Sequence, residues 1–186
     1  MNEIRVPLDT FQQDFIVTHC KDKAKALLSE LHMRANQCSQ PFAQVLNEWV
    51  ASKYEQTSYW DDNWYFTEIP LERCYFAHTS FHGTYQVPKD KRFVDFLEST
   101  GGGEIENDSF PCSAEIKNHW GPMPPVMIEE RDPNDSTKRV TDANASSAYV
   151  GCERYYILDG QLRVVRHWYH SHPIISAYIY RGDGKV

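Results

Sequence analysis

Two stretches near the start of the chain place apolar residues at the spacing of an amphipathic helix. They cover residues 22–35 and 43–54. Ser39 and Pro41 lie between them, and serine is a favoured helix cap while proline is tolerated in a first turn. The pattern predicts a helical hairpin.

The pattern becomes strand-like after an aromatic and acidic run at residues 59–66. We predict a strand over residues 66–71, a long loop, and then a helix over residues 90–100. Because glycine commonly ends helices, the triple glycine that begins at Gly101 is expected to stop this helix. A short helix is predicted over residues 113–120.

The remaining pattern predicts a strand, a turn, a helix and a strand in succession. The apolar run PPVMI indicates a buried strand, and the polar residues 129–147 after it indicate a long loop. Residues 155–158 then predict a strand, residues 161–170 a helix, and IISAYIY another strand. For strands joined by a helix, we expect a right-handed crossover between parallel strands.

These elements predict two parts. Residues 1–58 form an N-terminal helical extension, and residues 59–186 form one α/β (α+β) domain with a small mixed sheet. A chain of 186 residues is long enough for one buried core with such an extension.

Composition narrows the classes of partner. No apolar run approaches twenty residues and no secretory signal is visible, so we expect a cytoplasmic protein without membrane insertion. The net charge of -7 repels a phosphate backbone, so any contact with DNA should be weak or transient. The five cysteines show no CxxC spacing, and we expect reduced, mostly buried thiols.

The sequence DGQLR at residues 159–163 carries the chemistry of an anion site. Gly160 allows a tight turn after a strand, and the amides at the start of the following helix attract anions. Arg163 adds a guanidinium whose bonds to phosphate oxygens are worth roughly 1.5 to 3 kcal/mol. Because Asp-Gly turns are common, the alternative is a plain strand-to-helix turn in which Arg163 pairs with Asp159.

Three segments, in the right order over residues 67–180, resemble the ParB/sulfiredoxin-like superfamily. TEIPLERC is similar to its opening strand, and SAEIKNHWGPMPPVMIEE to its helix, glycine and following strand. YYILDGQLRVVRHWYHSHPIISAYIY resembles its DGxxR strand, helix and closing strand. The resemblance implies a nucleotide-binding domain, with ATP and Mg²⁺ as the expected cofactors.

The resemblance also implies roles for particular residues. The positions expected to bind phosphate or to border the nucleotide are Asp159, Gly160, Gln161, Arg163, Gly121 and Pro125. Glu72, which follows the IPL segment, is the expected catalytic residue and general base. The alternative for Glu72 is an exposed carboxylate that pairs with Arg73 or another base.

Departures from the superfamily pattern narrow the chemistry. Gln161 stands where sulfiredoxins carry their reactive cysteine, and an amide has no thiolate, which argues against sulfinic acid reduction. ParB proteins have Glu at this position and Arg at the next, where this chain has Gln161 and Leu162. We therefore assign no metal site there.

Compact members of the superfamily include plasmid fertility-inhibition proteins of the Osa type. This resemblance implies a hydrolase with ATPase and nuclease activity that suppresses DNA transfer by type IV secretion. The expected partners are a nucleotide, DNA, and a protein of a DNA-transfer or secretion apparatus. Two alternatives stay open: a non-catalytic protein-interaction inhibitor on the same fold, which Gln161 and Leu162 favour, and a small-molecule kinase.

Three histidines, His167, His170 and His172, lie close together in the sequence. Imidazoles are common metal ligands, but this spacing places His172 beyond the helix and matches no zinc pattern. We therefore expect polar or phosphate-proximal histidines and no metal site.

Aromatic residues lie beside two acids, Asp61 and Asp62. They either stack on nucleobases or pack, in the core or at an interface between the helical hairpin and the sheet, and the neighbouring acids favour packing. These aromatic residues are Trp60, Trp64, Tyr65 and Phe66.

Overall fold

A computed structural model describes most of the chain. The described ranges are residues 3–53, 64–77, 80–82, 85–87, 89–110, 112–118, 120–121, 123–132, 135–139 and 154–181. The chain divides into two compact units. One is Ile4–Trp64, and the other combines Met1–Glu3 with Tyr65–Val186.

Helices dominate the unit Ile4–Trp64. A short strand, β1 (Ile4–Arg5), precedes α1 (Leu8–Cys20), α2 (Ala24–Cys38) and α3 (Phe42–Lys53). The two helices predicted from periodicity are α2 and α3, although residue 54, the predicted end of the second, lies outside the described residues. Helix α1 was not predicted.

The connection between α2 and α3 uses Ser39 in another way than expected. Ser39 has a left-handed conformation (φ 51°) and ends α2, with its N–H directed at the carbonyls of Ala35 and Asn36. The Pro41 carbonyl accepts the first hydrogen bonds of α3, from the N–H groups of Gln44 and Val45. Ser39 therefore caps the end of one helix, and Pro41 precedes the next.

Apolar side chains from all three helices fill the core of this unit: Ile16, Ala24, Leu31, Ala35, Val45, Leu46 and Val50. Trp64 is completely buried and stacks on Phe11, with ring centroids 4.5 Å apart. Its ring is therefore packed and closed to a nucleobase, as the interpretation of the aromatic run as core predicts. Trp60, Asp61 and Asp62 lie outside the described residues.

A six-stranded mixed sheet forms the centre of the other unit. Its strands are β2 (Trp64–Pro70), β3 (Cys74–Phe76), β6 (Val126–Asp132), β7 (Asp135–Arg139), β8 (Arg154–Asp159) and β9 (Ile174–Tyr180). The order across the sheet is β2-β9-β6-β8-β3, and β7 pairs with β6. Strands β4 (Ser80–His82) and β5 (Tyr85–Val87) form a separate antiparallel pair. The predicted mixed α/β class is confirmed.

The expected parallel crossover at the end of the domain is wrong. Strand β6 lies between β8 and β9, parallel to β9 and antiparallel to β8. Strands β8 and β9 therefore run in opposite directions and are not neighbours. Ile128 of β6 is opposite Ile157 on one side and Ile179 on the other, so an earlier apolar strand occupies the place between them.

The predicted loop over residues 129–147 is also wrong in its first part. Strand β6 continues through Glu129 and Glu130 to Asp132, and β7 pairs with it. Both carboxylates are buried, and each is paired with an arginine. Arg131 Nε donates to Glu129 at 2.6 Å, and Arg181 Nη1 donates to Glu130 at 2.6 Å. Residues 140–147 lie outside the described residues.

Helices cover the sheet of this unit. They are α4 (Phe93–Phe96), a π-helical turn (Leu97–Gly101), α5 (Gly102–Glu106), α6 (Ser113–Asn118) and α7 (Gln161–Tyr169). Their apolar residues pack with strand residues such as Ile128 and Ile157 in one core. Within the described residues, every helix is too short or too polar to cross a bilayer.

The expected helix stop at Gly101 is wrong, because the chain stays helical from Phe93 to Glu106. Gly102 explains why glycine is needed inside this helix. A β-carbon on Gly102 would come within 2.7 Å of Cη2 of Trp168. The glycine therefore makes room for an indole from α7 rather than ending the helix.

Buried thiols are the exception among the described cysteines. Cys74 is buried, Cys20 is half-buried, and Cys38 and Cys112 are exposed. Only one of the four described cysteines is buried, so the expectation of mostly buried thiols is wrong for this set. Cys152 lies outside the described residues.

Candidate functional site

The turn between β8 and α7 forms as the sequence predicts. Gly160 has φ 99°, a left-handed conformation that glycine adopts without steric cost. Its carbonyl accepts hydrogen bonds from the N–H groups of Arg163 (2.9 Å) and Val164 (3.1 Å), which close the first turn of α7. The β8 strand thus ends directly at the amino-terminal end of a nine-residue helix.

Arg163 lies beneath this turn, with only 8% of its side chain exposed. Its Nη2 donates to Asp159 Oδ2 at 2.6 Å, and its Nη1 donates to the carbonyl oxygens of Pro124 (2.6 Å) and Pro125 (2.5 Å). A single guanidinium therefore joins the end of β8, the start of α7 and the segment that leads into β6.

The pairing of Arg163 with Asp159 is the alternative that the sequence offered for this motif. Binding of phosphate at the turn stays a prediction. The carboxylate of Asp159 already occupies one edge of the guanidinium, with 32% of its side chain exposed. A carboxylate and a phosphate oxygen are both good partners for that edge.

The other predicted binding positions lie on α7 and on the segment that precedes β6. Gln161, half-buried, is the first residue of α7, and Pro125 touches Arg163 through its carbonyl. Gly121 follows Trp120, whose ring contacts histidines at the carboxyl end of α7. The structure thus brings Pro125 to the turn, whereas no contact of Gly121 with the turn is seen among the described residues.

Glu72 also lies at the far end. It belongs to the 3-10 turn Leu71–Arg73, and the N–H of Leu71 donates to the carbonyl of Pro173 at 2.8 Å. Pro173 follows the carboxyl end of α7 and Gly160 precedes its first residue, so Glu72 and Gly160 lie at opposite ends of the helix. The structure does not bring the predicted catalytic carboxylate to the predicted phosphate turn.

Glu72 lines a groove of about 540 Å³ next to the carboxyl end of α7. Its walls are largely apolar and come from four separate segments of the chain: Pro70, Leu71, Val94, Trp168, Pro173 and Ile174. Its polar groups are Glu72, Glu98, Ser171 and His172. A volume in this range is typical of ligand sites.

The three histidines gather around Trp120 beside this groove. The ring of His172 stacks on the indole, with ring centroids 3.9 Å apart. The ring centroids of His167 and His170 each lie 5.2 Å from that of Trp120. His167 Nδ1 contacts the Arg163 carbonyl, and His170 Nε2 contacts the Ile116 carbonyl, both at 2.9 Å. Two imidazoles are thereby fixed to the backbone, and one is fixed by stacking.

Burial lowers the pKa of His167 below its ordinary value, and the neighbouring His172 lowers it further, although the hydrogen bond with the Arg163 carbonyl partly opposes both effects. The neutral form of His167 is therefore favoured. Among the described residues, no group of three His, Cys, Asp or Glu side chains is arranged to hold a metal ion.

The sequence reasoning missed a second buried arginine on α7. Arg166 donates from Nη2 to Glu115 of α6 and from Nη1 to the sulfur of Met123 at 3.5 Å. Arg163 and Arg166 are three residues apart in RVVR, so both lie on one face of the helix. The three-residue spacing of the two arginines is the sequence feature that could have indicated the role of Arg166.

Comparison of this chain with known protein families, with curated proteins and with solved structures found no match. The turn, the groove and the contacts described above therefore carry the functional argument.

Proposed function

We propose that this chain is a nucleotide-binding protein with a ParB/sulfiredoxin-like domain, and that it takes the phosphate groups of ATP at the Gly160 turn. The observation that carries the proposal is the Arg163 guanidinium, buried at the amino-terminal end of α7 and already paired with an anionic side chain. The helix dipole and the turn amides favour a negative charge at the same point.

Asp159 acts in this proposal as an internal substitute for phosphate. Its carboxylate is one-third exposed, so it can rotate away from Arg163 without unfolding the turn, whereas Arg163 stays held by two proline carbonyls. An incoming phosphate then replaces Asp159 on the guanidinium. Binding of the nucleotide competes with an ion pair inside the protein.

Mg²⁺ enters this proposal with the nucleotide. Magnesium commonly binds through substrate phosphates and one or two carboxylates. When Asp159 leaves Arg163, its carboxylate becomes available to such an ion. DNA remains a proposed weak partner, because the net charge of -7 opposes its approach.

Hydrolysis of ATP and cleavage of DNA, of the fertility-inhibition type, are the activities that the resemblance suggests. They were expected to use Glu72, which lies at the other end of α7 from the turn. This separation favours a second candidate function, a non-catalytic inhibitor that binds a nucleotide and a protein partner. The same separation weighs against a small-molecule kinase with Glu72 as its base.

The experiment is a titration of the purified protein with MgATP by calorimetry, together with two variants at the turn. Asp159→Asn removes the internal competitor and should bind MgATP several-fold more tightly than wild type. Arg163→Lys keeps a positive charge but loses the planar fork, and it should bind at least tenfold more weakly.

The matched control is Asp95→Asn, which removes a carboxylate from the Arg92–Asp95 pair elsewhere in the same unit. It changes the net charge equally and should bind MgATP like wild type. If Asp159→Asn and Asp95→Asn bind alike, or if wild type does not bind, the proposal is wrong. ATP turnover in Glu72→Gln then separates the two functions, since loss of turnover would return Glu72 to the mechanism.

A further inference from the structure

The groove at the carboxyl end of α7 combines apolar walls with two carboxylates. Trp168, Pro70 and Pro173 supply flat, apolar surfaces, while Glu72 and Glu98 supply negative charge. Ile174, which also lines the groove, is 52% exposed. The groove lies away from the Gly160 turn, so its occupant need not be the nucleotide.

The two carboxylates have no direct charged partner among the described residues. Within the described part of the chain, neither Glu72 nor Glu98 forms an ion pair or a side-chain hydrogen bond. Arg92 lies close enough to Glu98 to interact with its charge, but its guanidinium is bonded to Asp95 at 3.0 Å through Nε. The groove therefore keeps an excess of negative charge.

We propose that this groove binds a basic peptide segment of a partner protein, through one arginine or lysine side chain. The aliphatic stem of such a side chain suits the apolar walls, and its cationic head suits Glu72 and Glu98. Trp168 adds an aromatic face that attracts a cation. The groove therefore offers apolar contacts to the stem of the side chain and negative charge to its head.

The size of the groove and its edge favour a peptide over a single small cation. About 540 Å³ is the volume of a site for a drug-sized ligand and exceeds one amino-acid side chain. Ile174 and Pro173 at the edge offer apolar contacts to the residues that flank the cation. The net charge of -7 also assists the approach of a basic segment.

Peptide pools test the proposal without knowledge of the partner. Two pools of capped seven-residue peptides have the same randomised flanking positions and differ only in a central arginine or glutamine. Each pool is passed over the immobilised full chain, and retained peptide is quantified by mass spectrometry. The arginine pool should be retained at least tenfold more than the glutamine pool.

The variant that tests the groove is Glu72→Gln combined with Glu98→Gln, which changes two exposed carboxylates and leaves the core intact. Its preference for the arginine pool should fall to near onefold. The matched control is Glu104→Gln combined with Glu106→Gln, which removes the same charge from α5 outside the groove. It should keep the tenfold preference, and thermal unfolding should show both double variants folded.

Equal retention of the two pools by wild type would overturn the proposal, as would equal loss in the two double variants, which would indicate nonspecific attraction to an acidic protein. If free agmatine displaced the arginine pool at concentrations equal to those of the peptides themselves, the occupant would be a small organic cation and the peptide proposal would be wrong. Binding of MgATP reports on the other end of α7 and is independent of these outcomes.

Discussion

The guanidinium of Arg163 lies directly against the backbone of Gly160. A β-carbon at Gly160 would come within 2.7 Å of Nη2 and 2.8 Å of Cζ of Arg163. The absence of a side chain at residue 160 thus allows both the left-handed turn and the close approach of the arginine. The conformation of the turn and the position of its charge depend on the same glycine.

Substitution of Gly160 by alanine should destabilise the protein by about 1 to 3 kcal/mol, because it strains a left-handed backbone and displaces a guanidinium that three hydrogen bonds hold. Urea unfolding followed by circular dichroism measures this loss. The comparison variant is Gly103→Ala, where the added β-carbon meets nothing within 4 Å. Equal unfolding midpoints for the two variants would contradict the described turn.

Gly102→Ala should also be destabilising, by about 1 to 3 kcal/mol, because its β-carbon overlaps the packed indole of Trp168. The neighbouring change Gly103→Ala should instead stabilise the helix by about 0.5 to 1 kcal/mol, since it reduces the freedom of the unfolded chain. Thermal unfolding of the two variants gives the comparison. A Gly102→Ala protein as stable as Gly103→Ala would mean that Trp168 packs elsewhere.

Acid should weaken the protein partly through His167. Its pKa in the folded protein is lowered, chiefly by burial, so the unfolded chain takes up this proton more readily than the folded chain. The contribution to stability is complete above the ordinary histidine pKa of about 6.5 and is lost as the pH falls below that value toward the lowered pKa. Urea midpoints measured from neutral pH to about pH 5 should fall less in His167→Asn than in wild type.

A matched control for this measurement is His19→Asn. His19 also contacts the carbonyl four residues before it, through Nδ1 at 2.8 Å, but it is exposed. On acidification, the His167→Asn protein should lose less stability than the His19→Asn protein. If the His167→Asn protein shows the same acid sensitivity as this control, His167 is not the responsible group.

Alkylation should distinguish Cys74 from the exposed thiols. Burial raises the pKa of Cys74, and the thiolate is the form that reacts, so iodoacetamide should modify it roughly a hundredfold more slowly than Cys38 or Cys112. Peptide mapping by mass spectrometry gives the three rates. In concentrated urea the three should become similar, and rapid native-state modification of Cys74 would contradict its burial.

Sequence periodicity identified elements that bury one apolar face, such as α2, α3, α7 and the first part of β6. It missed α1 because one of its inward-facing residues is polar: Gln12 is fully buried, and its amide donates to Asn47 at 3.0 Å. A buried amide interrupts the apolar pattern by which a helix is recognised in the sequence. The partner Asn47 lies on α3, far along the chain.

Other differences have the same origin in distant partners. The glycines at residues 101–103 predict a helix stop by sequence. In the structure Trp168, more than sixty residues away in sequence, packs against Gly102. Glu129 and Glu130 are typical loop residues by sequence, but in the structure they lie in a strand and pair with Arg131 and Arg181. Local propensity is a weak guide wherever such a tertiary contact decides the structure.

The candidate site was predicted in part. The Asp-Gly turn and an arginine one turn later were visible in the sequence, and the structure places both where they were expected. The groove was not visible, because only the fold brings together the segments of the chain that form its walls. The position of Glu72 after IPL predicts a catalytic role. Only the fold shows that Glu72 lies at the opposite end of α7 from the Gly160 turn.

The order of the strands has a consequence for how this unit is made. Strand β9 lies between β2 and β6, yet it follows every other strand of the sheet in the chain. During synthesis, β2 therefore emerges from the ribosome more than a hundred residues before the strand that joins it to β6. Such non-local pairing slows folding and leaves the edges of β2 and β6 open to chaperones or to aggregation until β9 arrives.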